Sequence, residues 1–217
     1  MKILIACDDY WHPAEVIEKG LNFLEADGHE LHFVKDAKDI LTPELVAEYP
    51  LFINTKMNQI GSGNQNAWFD RDAAEFQVKD LEDYVRNGGG FLAIHAGNSY
   101  YWKETEDYCR FNGCAFVTHP PRCAITVRPV KEHPITEGIS EFLIRDEHYA
   151  VDHLAEDAEV LFESTSETGG TQIAGYVRQM GNGRLCSLMP GHIYSVFQNK
   201  TYQEVIRRAI AWTARKE

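Results

Sequence analysis

The chain has 217 residues, enough for one large α/β domain, with 21 Lys and Arg against 33 Asp and Glu and a formal charge of −12. That balance excludes a phosphate-binding face for nucleic acid and an attraction to anionic membrane surfaces. The five cysteines form no C-x-x-C pair and suit reduced thiols in a cytoplasmic protein.

The N-terminal run Lys2 to Cys7 is apolar, too short for a signal peptide, and ends in Asp8-Asp9. It reads as a buried first strand. Pro13 then suits the first turn of a helix carrying Ile17, Leu21 and Leu24, with Gly28 as its stop. Leu31 to Val34 is a second strand, Thr42-Pro43 opens a short helix, and Leu51 to Asn54 is a third strand. Lys56 to Ala67 is polar and rich in Gly and Asn, a long loop. A helical pattern from Asp72 to Asn87 follows, with Phe76, Leu81, Tyr84 and Val85 on one face. Gly88-Gly89-Gly90 ends it, and Phe91 to His95 is the fourth strand. This β-α-β-α-β-α-β order predicts a parallel sheet.

The second half is less regular. Asn98 to Phe116 is polar and aromatic, and Cys123 to Val130 alternates like a strand. Glu159 to Phe162 and Ile173 to Val177 read as further strands. Gly181-Asn182-Gly183 is a hairpin turn leading into Arg184 to Met189, and Thr201 to Arg215 is a closing helix. No repeat, low-complexity tract or linker divides the chain, so residues 1–217 are read as a single domain.

In an open α/β sheet, ligands bind outside the carboxyl ends of the strands. His95 and His192 each stand where an apolar strand stops at a small-residue turn, which makes them candidate catalytic groups. Asp146-Glu147-His148-Tyr149 is a third cluster, in which alternation puts Glu147 and Tyr149 on one face and Asp146 and His148 on the other. The other reading of that cluster is a solvated strand end. Asp9, Trp11 and His12 follow the first strand on the same sheet edge, and Asn98, Tyr101, His119 and Tyr149 are further candidates for binding substrate. Trp11 and the aromatics at 100–102 offer flat faces for a sugar ring. His119-Pro120 and His133-Pro134 hold their histidines in extended backbone and also read as architectural turns. No G-x-S-x-G, P-loop, dinucleotide glycine motif or H-E-x-x-H is present, so no nucleotide cofactor is expected. A divalent metal is the candidate cofactor, assembled from His95, Glu147, His192 and His119, and spacing does not decide it.

Several blocks occur together in order. They are Gly88-Gly89-Gly90-Phe91-Leu92-Ala93-Ile94-His95-Ala96, Gly113-Cys114-Ala115-Phe116 with His119-Pro120, His133-Pro134-Ile135-Thr136, Asp146-Glu147 with Tyr149, Gly181-x-Gly183-Arg184, and Gly191-His192. Over nearly the whole chain this set resembles the ThuA-like trehalose-utilisation family. The resemblance implies a flavodoxin-like three-layer sandwich, related to the class I glutamine amidotransferases, with a mostly parallel central sheet and a sharp turn after a central strand. In those amidotransferases the turn carries a nucleophilic cysteine; here His95 is aligned with it, so glutaminase chemistry should be lost. His192 falls near the amidotransferase histidine, but Ile193-Tyr194 replaces the acidic residue that follows.

The implied role is catabolism of a disaccharide or its keto derivative, by hydrolysis, elimination or isomerisation. His95, Glu147 and His192 would be catalytic, and the partner would be a small carbohydrate in a homodimer. The alternatives are a non-catalytic carbohydrate-binding or regulatory protein and, less simply, an amidotransferase-like partner of another enzyme.

Overall fold

The structure is a computed structural model and describes residues 1–35, 40–57 and 76–215. In chain order, β1 (Lys2–Ala6) leads to α1 (Ala14–Leu21), α2 (Phe23–Ala26) and β2 (Glu30–Val34). Next come α3 (Pro43–Ala47), β3 (Leu51–Asn54), α4 (Val78–Arg86) and β4 (Gly90–Ile94). A 3-10 turn (His95–Asn98), α5 (Glu106–Asn112), β5 (Ala115–Thr118), β6 (Cys123–Pro129), β7 (Phe142–Asp146) and β8 (Ala150–Asp152) follow. The chain closes with β9 (Glu159–Ser166), β10 (Gly170–Met180), β11 (Gly183–Leu188), α6 (Tyr194–Phe197) and α7 (Lys200–Thr213).

Local chemistry explains the element ends. The Thr42 side chain accepts the Leu45 N–H ahead of α3 and the Asn199 side chain accepts the Tyr202 N–H ahead of α7, each satisfying an orphan helix donor. The polar stretch from Lys56 to Ala67 and the first residues of the helical pattern at 72 fall in 58–75, outside the described residues, and α4 begins at Val78. The aromatic stretch Asn98 to Phe116 contains α5 and the start of β5, which its pattern did not announce.

A nine-stranded sheet has the order β2-β1-β3-β4-β11-β10-β9-β6-β7. Pairings from β2 to β11 are all parallel, and those from β11 to β7 are antiparallel. Following the directions across the sheet, β10 and β6 alone run against the others, so the sheet is mostly parallel. Alternating residues face two cores. Ile3, Ile5, Leu92 and Ile94 pack with α1, α6 and α7, while Leu4, Ala6, Phe91 and Ala93 pack with α4 and α5. This is a three-layer α/β sandwich. Among the described residues no helix is long and apolar enough to cross a membrane.

The antiparallel half decides where the site lies. β7 is four pairings from β11, roughly 19 Å in a flat sheet. Yet Asp146, at the end of β7, accepts the backbone N–H of Gly191, just beyond β11, at 2.7 Å. The sheet must therefore curl back on itself, and the irregular register of β9 with β10 around Ile173 and Gly175 supplies local bending. A second, two-stranded ladder pairs β5 with β8 and packs against β10.

Candidate functional site

Four strand ends open on one edge. β1 is followed by Asp9 and His12, β4 by His95, β7 by Glu147 and β11 by His192. The turn after β4 is sharp: His95 has φ 47°, a left-handed conformation that costs a non-glycine residue on the order of 1–3 kcal/mol. It is held by tight packing. A Cβ on Gly97 would stand 2.2 Å from the Asn54 carbonyl oxygen, so only glycine fits the turn's floor.

His95 is buried, and its Nδ1–H donates to the Met189 carbonyl at 2.9 Å. Its Nε2 therefore carries the lone pair, and the Tyr149 hydroxyl donates to it at 3.0 Å. The Tyr149 oxygen lies 2.7 Å from Ser99 Oγ. Around His95 Nε2 stand His192 Nδ1 at 3.2 Å and Glu147 Oε2 at 3.4 Å, and the latter two are 3.3 Å apart. His12 closes the fourth side, its ring centroid 5.1 Å from that of His95 and 5.3 Å from that of His192. One ligand atom from each of His12, His95, Glu147 and His192 lies within 4.8 Å of the others. Among the described residues this is the group of His, Cys, Asp and Glu side chains close enough to hold a metal ion.

Neighbours fix each member. Asp9 accepts both the His12 Nδ1–H, at 2.7 and 2.9 Å, and the backbone N–H groups of Trp11 and Met57 at 2.8 Å. Burial alone would raise its pKa, but the His12 imidazole and these N–H donors hold it below the ordinary carboxylate value. Asp146 accepts the N–H groups of Gly191 and His192 and so ties β7 to the turn after β11. Here burial wins over those donors and pushes the carboxyl up to about 6.

Burial and the neighbouring His95 lower His192 to about 4, and burial likewise lowers His95. Burial opposes ionisation of Glu147, but His95 and the surrounding imidazoles, which favour its anion when they are protonated, bring it down to about 2. At neutral pH His95 and His192 thus stand as neutral imidazoles beside the negative Glu147 carboxylate.

A cavity of about 220 Å³ opens above the cluster, lined by His12, Glu147, Tyr149 and His192 at its base and by Trp11, Tyr101, Phe116 and His119 around its rim. His119 Nδ1–H donates to the Pro120 carbonyl at 2.9 Å, which leaves Nε2 facing Glu147 Oε2 at 3.6 Å. A larger groove of about 700 Å³ runs along 129–138, but its polar groups are spent locally. There Thr136 Oγ1 donates toward the Lys131 and His133 carbonyls and accepts the His133 N–H. The His133-Pro134-Ile135-Thr136 block is a turn closed by Thr136 and packed against α7.

Of the ten candidate residues, the structure brings Trp11, His12, Tyr101, His119, Glu147, Tyr149 and His192 to the cavity and His95 directly beneath it. Asp9 lies behind His12 and orients it. Asn98 does not reach the cavity: its amide donates to the Leu188 carbonyl and its oxygen accepts from Ser187 and Asn112, in a buried network under the turn. Its buried side chain supports the turn from below and does not line the cavity. His148, on the opposite face from Glu147, lies between Ser164 and Ser166. The Asp146–Tyr149 segment is therefore no solvated strand end.

Ser99, Met57 and Phe116 line the cavity without having been singled out, and Asp146 was not recognised as the clamp. Asp146 alone left a signal, since an acidic residue on the core face of an alternating strand needs a partner.

The model of the ThuA family, described as trehalose utilisation, matches residues 3–213. The chain belongs to this family. ThuA membership gives it a role in sugar metabolism. Among solved structures it is similar to a ThuA-like protein from Bacteroides uniformis (22% identity, TM-score 0.78, covering 100% of this chain and 92% of that one). It is also similar to a cytoplasmic protein from Salmonella typhimurium LT2 (17%, TM-score 0.70, covering 98% and 99%). A third likeness is to a glutamine amidotransferase from Thermotoga maritima (11%, TM-score 0.63, covering 99% and 98%). At these identities the likeness is one of fold. No curated protein matches the chain. In this ThuA protein the elbow of the amidotransferase-like fold carries His95, and the carboxylate beside His192 comes from Glu147 on another strand.

Proposed function

We propose that this protein is a sugar-catabolic enzyme acting on a disaccharide or its keto derivative, with His95, Glu147 and His192 as the catalytic cluster. One observation carries the reading: three polar groups from three separate strand ends converge, with lone pairs inward, under an aromatic-rimmed cavity. The cavity, about 220 Å³ among the described residues, has the volume of roughly seven water molecules and admits one sugar ring. One ring would enter, with its apolar face against Trp11, Tyr101 or Phe116, while the second unit stays outside.

A ketone on the bound ring acidifies the adjacent C–H. The Glu147 carboxylate or a neutral imidazole of the cluster would accept that proton, the step shared by elimination and isomerisation and preparatory to cleavage of a keto-glycoside. No cysteine stands in the cavity, and the thiols at 7, 109 and 114 are pushed up to about 12, 11 and 12 by burial, which supports chemistry without a thiolate. Free, mostly buried cysteines also fit a cytoplasmic protein.

The test is turnover of trehalose and of its keto derivatives, with product analysis. His95→Asn keeps a side chain that tolerates the left-handed turn and should fold. His192→Gln removes the imidazole reached from the cavity. Each should lower kcat by on the order of 10²–10⁴-fold. Saturable binding with no conversion by the unaltered protein would instead select a carbohydrate-binding or regulatory role.

A further inference from the structure

We propose that His12, His95, Glu147 and His192 form a binding site for a single divalent transition-metal ion, with Asp9 and the Met189 carbonyl as its outer supports. The inference shares residues with the enzymatic reading above and deepens it, but it rests on ligand geometry and is tested without substrate.

The distances carry it. His95 Nε2, His192 Nδ1 and Glu147 Oε2 form a nearly equilateral triangle with edges of 3.2, 3.3 and 3.4 Å. Ligands about 2.05 Å from a tetrahedral ion are separated by about 3.3 Å. The triangle is thus already one face of such a coordination shell. His12 supplies the remaining protein ligand from the fourth side, with its ligand atom within 4.8 Å of the other three.

The hydrogen bonds around the cluster point the same way. Metal-binding histidines commonly give their outer N–H to a carboxylate or a backbone carbonyl, which fixes the tautomer and aims the lone pair. His12 gives its Nδ1–H to Asp9, and His95 gives its own to Met189. Each turns Nε2 to the interior, and the Tyr149 hydroxyl that donates to His95 Nε2 would turn to Ser99 Oγ on ligation. Asp9 is itself pinned by the Trp11 and Met57 N–H groups, so this support is built in rather than incidental. Three nitrogens and one carboxylate oxygen, with no thiolate, suit Zn²⁺, Co²⁺, Mn²⁺ or Fe²⁺ in preference to soft Cu⁺.

Two consequences follow for the site. The ion would polarise a substrate carbonyl that enters the cavity. With Glu147 and three imidazoles committed as ligands, His119 is the imidazole left to carry a proton, its Nε2 facing the cavity 3.6 Å from Glu147.

The experiment is metal analysis of the full chain as purified, followed by Co²⁺ titration of chelator-stripped protein read by its visible ligand-field bands. One ion per chain and a saturable four- or five-coordinate cobalt spectrum are expected. His192→Gln should abolish the spectrum. Asp9→Asn should weaken Co²⁺ binding by about 10–100-fold, because it frees the His12 tautomer without removing a ligand. Thermal unfolding of each variant confirms that it is folded.

A stripped, folded protein that shows no cobalt bands and takes up metal far below one ion per chain would overturn the proposal. So would binding unchanged by His192→Gln. Because no substrate is present, failure here leaves the catalytic reading intact with the imidazoles as proton carriers. Failure of turnover by a metal-loaded protein would instead sink that reading alone.

Discussion

The Asp146 carboxylate accepts the Gly191 N–H at 2.7 Å and thereby joins two strand ends that lie four pairings apart in the sheet. This contact places Glu147 beside His192. Removing it leaves two backbone N–H groups short of an acceptor in a buried site and loosens both functional residues. Asp146→Ala should destabilise the protein by about 2–4 kcal/mol and also reduce turnover. Asp146→Asn retains one acceptor oxygen and should lose less than the alanine variant. Denaturant unfolding of the two, side by side, checks the order.

The floor of the His95 turn admits no side chain. The Gly97→Ala methyl would meet the Asn54 carbonyl oxygen at 2.2 Å, and backbone must move to relieve it. A loss of about 3 kcal/mol or more is expected. Gly28→Ala is the control. It has φ 82° but nothing within 4 Å of the added carbon, so only the conformational cost of about 1–2 kcal/mol applies. Equal melting points for the two variants would refute the steric account.

Cysteine reactivity separates this site from thiol chemistry. Cys7, Cys109, Cys114 and Cys186 are buried and burial raises the pKa of each, whereas Cys123 is partly exposed. Native protein treated with iodoacetamide at pH 8 should label Cys123 rapidly and the other four only on unfolding. Rapid labelling of a second thiol, read by mass spectrometry, would contradict the packing described above.

The rim aromatics should affect binding more than chemistry. Trp11, which is 54% exposed, and Tyr101, edge-on to Phe116, both line the cavity. Trp11→Ala or Tyr101→Ala should raise KM by roughly 3–10-fold, the worth of one aromatic contact, with kcat little changed. A fall in kcat with KM constant would place these rings in the reacting geometry instead.

The local pattern was enough for the parallel half of the sheet, because β1, β3 and β4 are short apolar runs stopped by a polar or small residue, and burial on both faces leaves that mark in the chain. It was enough, too, to place His95 and His192 at strand ends and Glu147 with Tyr149 on one face, since alternation is a property of extended backbone alone. α5 was hidden, as Tyr108, Cys109 and Phe111 pack inward from a stretch too short and too aromatic to show a helical period. The roles of Asp9 and Asn98 were equally invisible. Both stand beside the strand ends in sequence, but one carboxylate turns to His12 and the other residue's amide turns down to Leu188 and Ser187. Only the curl of the antiparallel strands brings β7 round to β11, because it arises from long-range pairing and bulges rather than from any local preference. Without it, Glu147 would stand about 19 Å from His192, and farther still from His95.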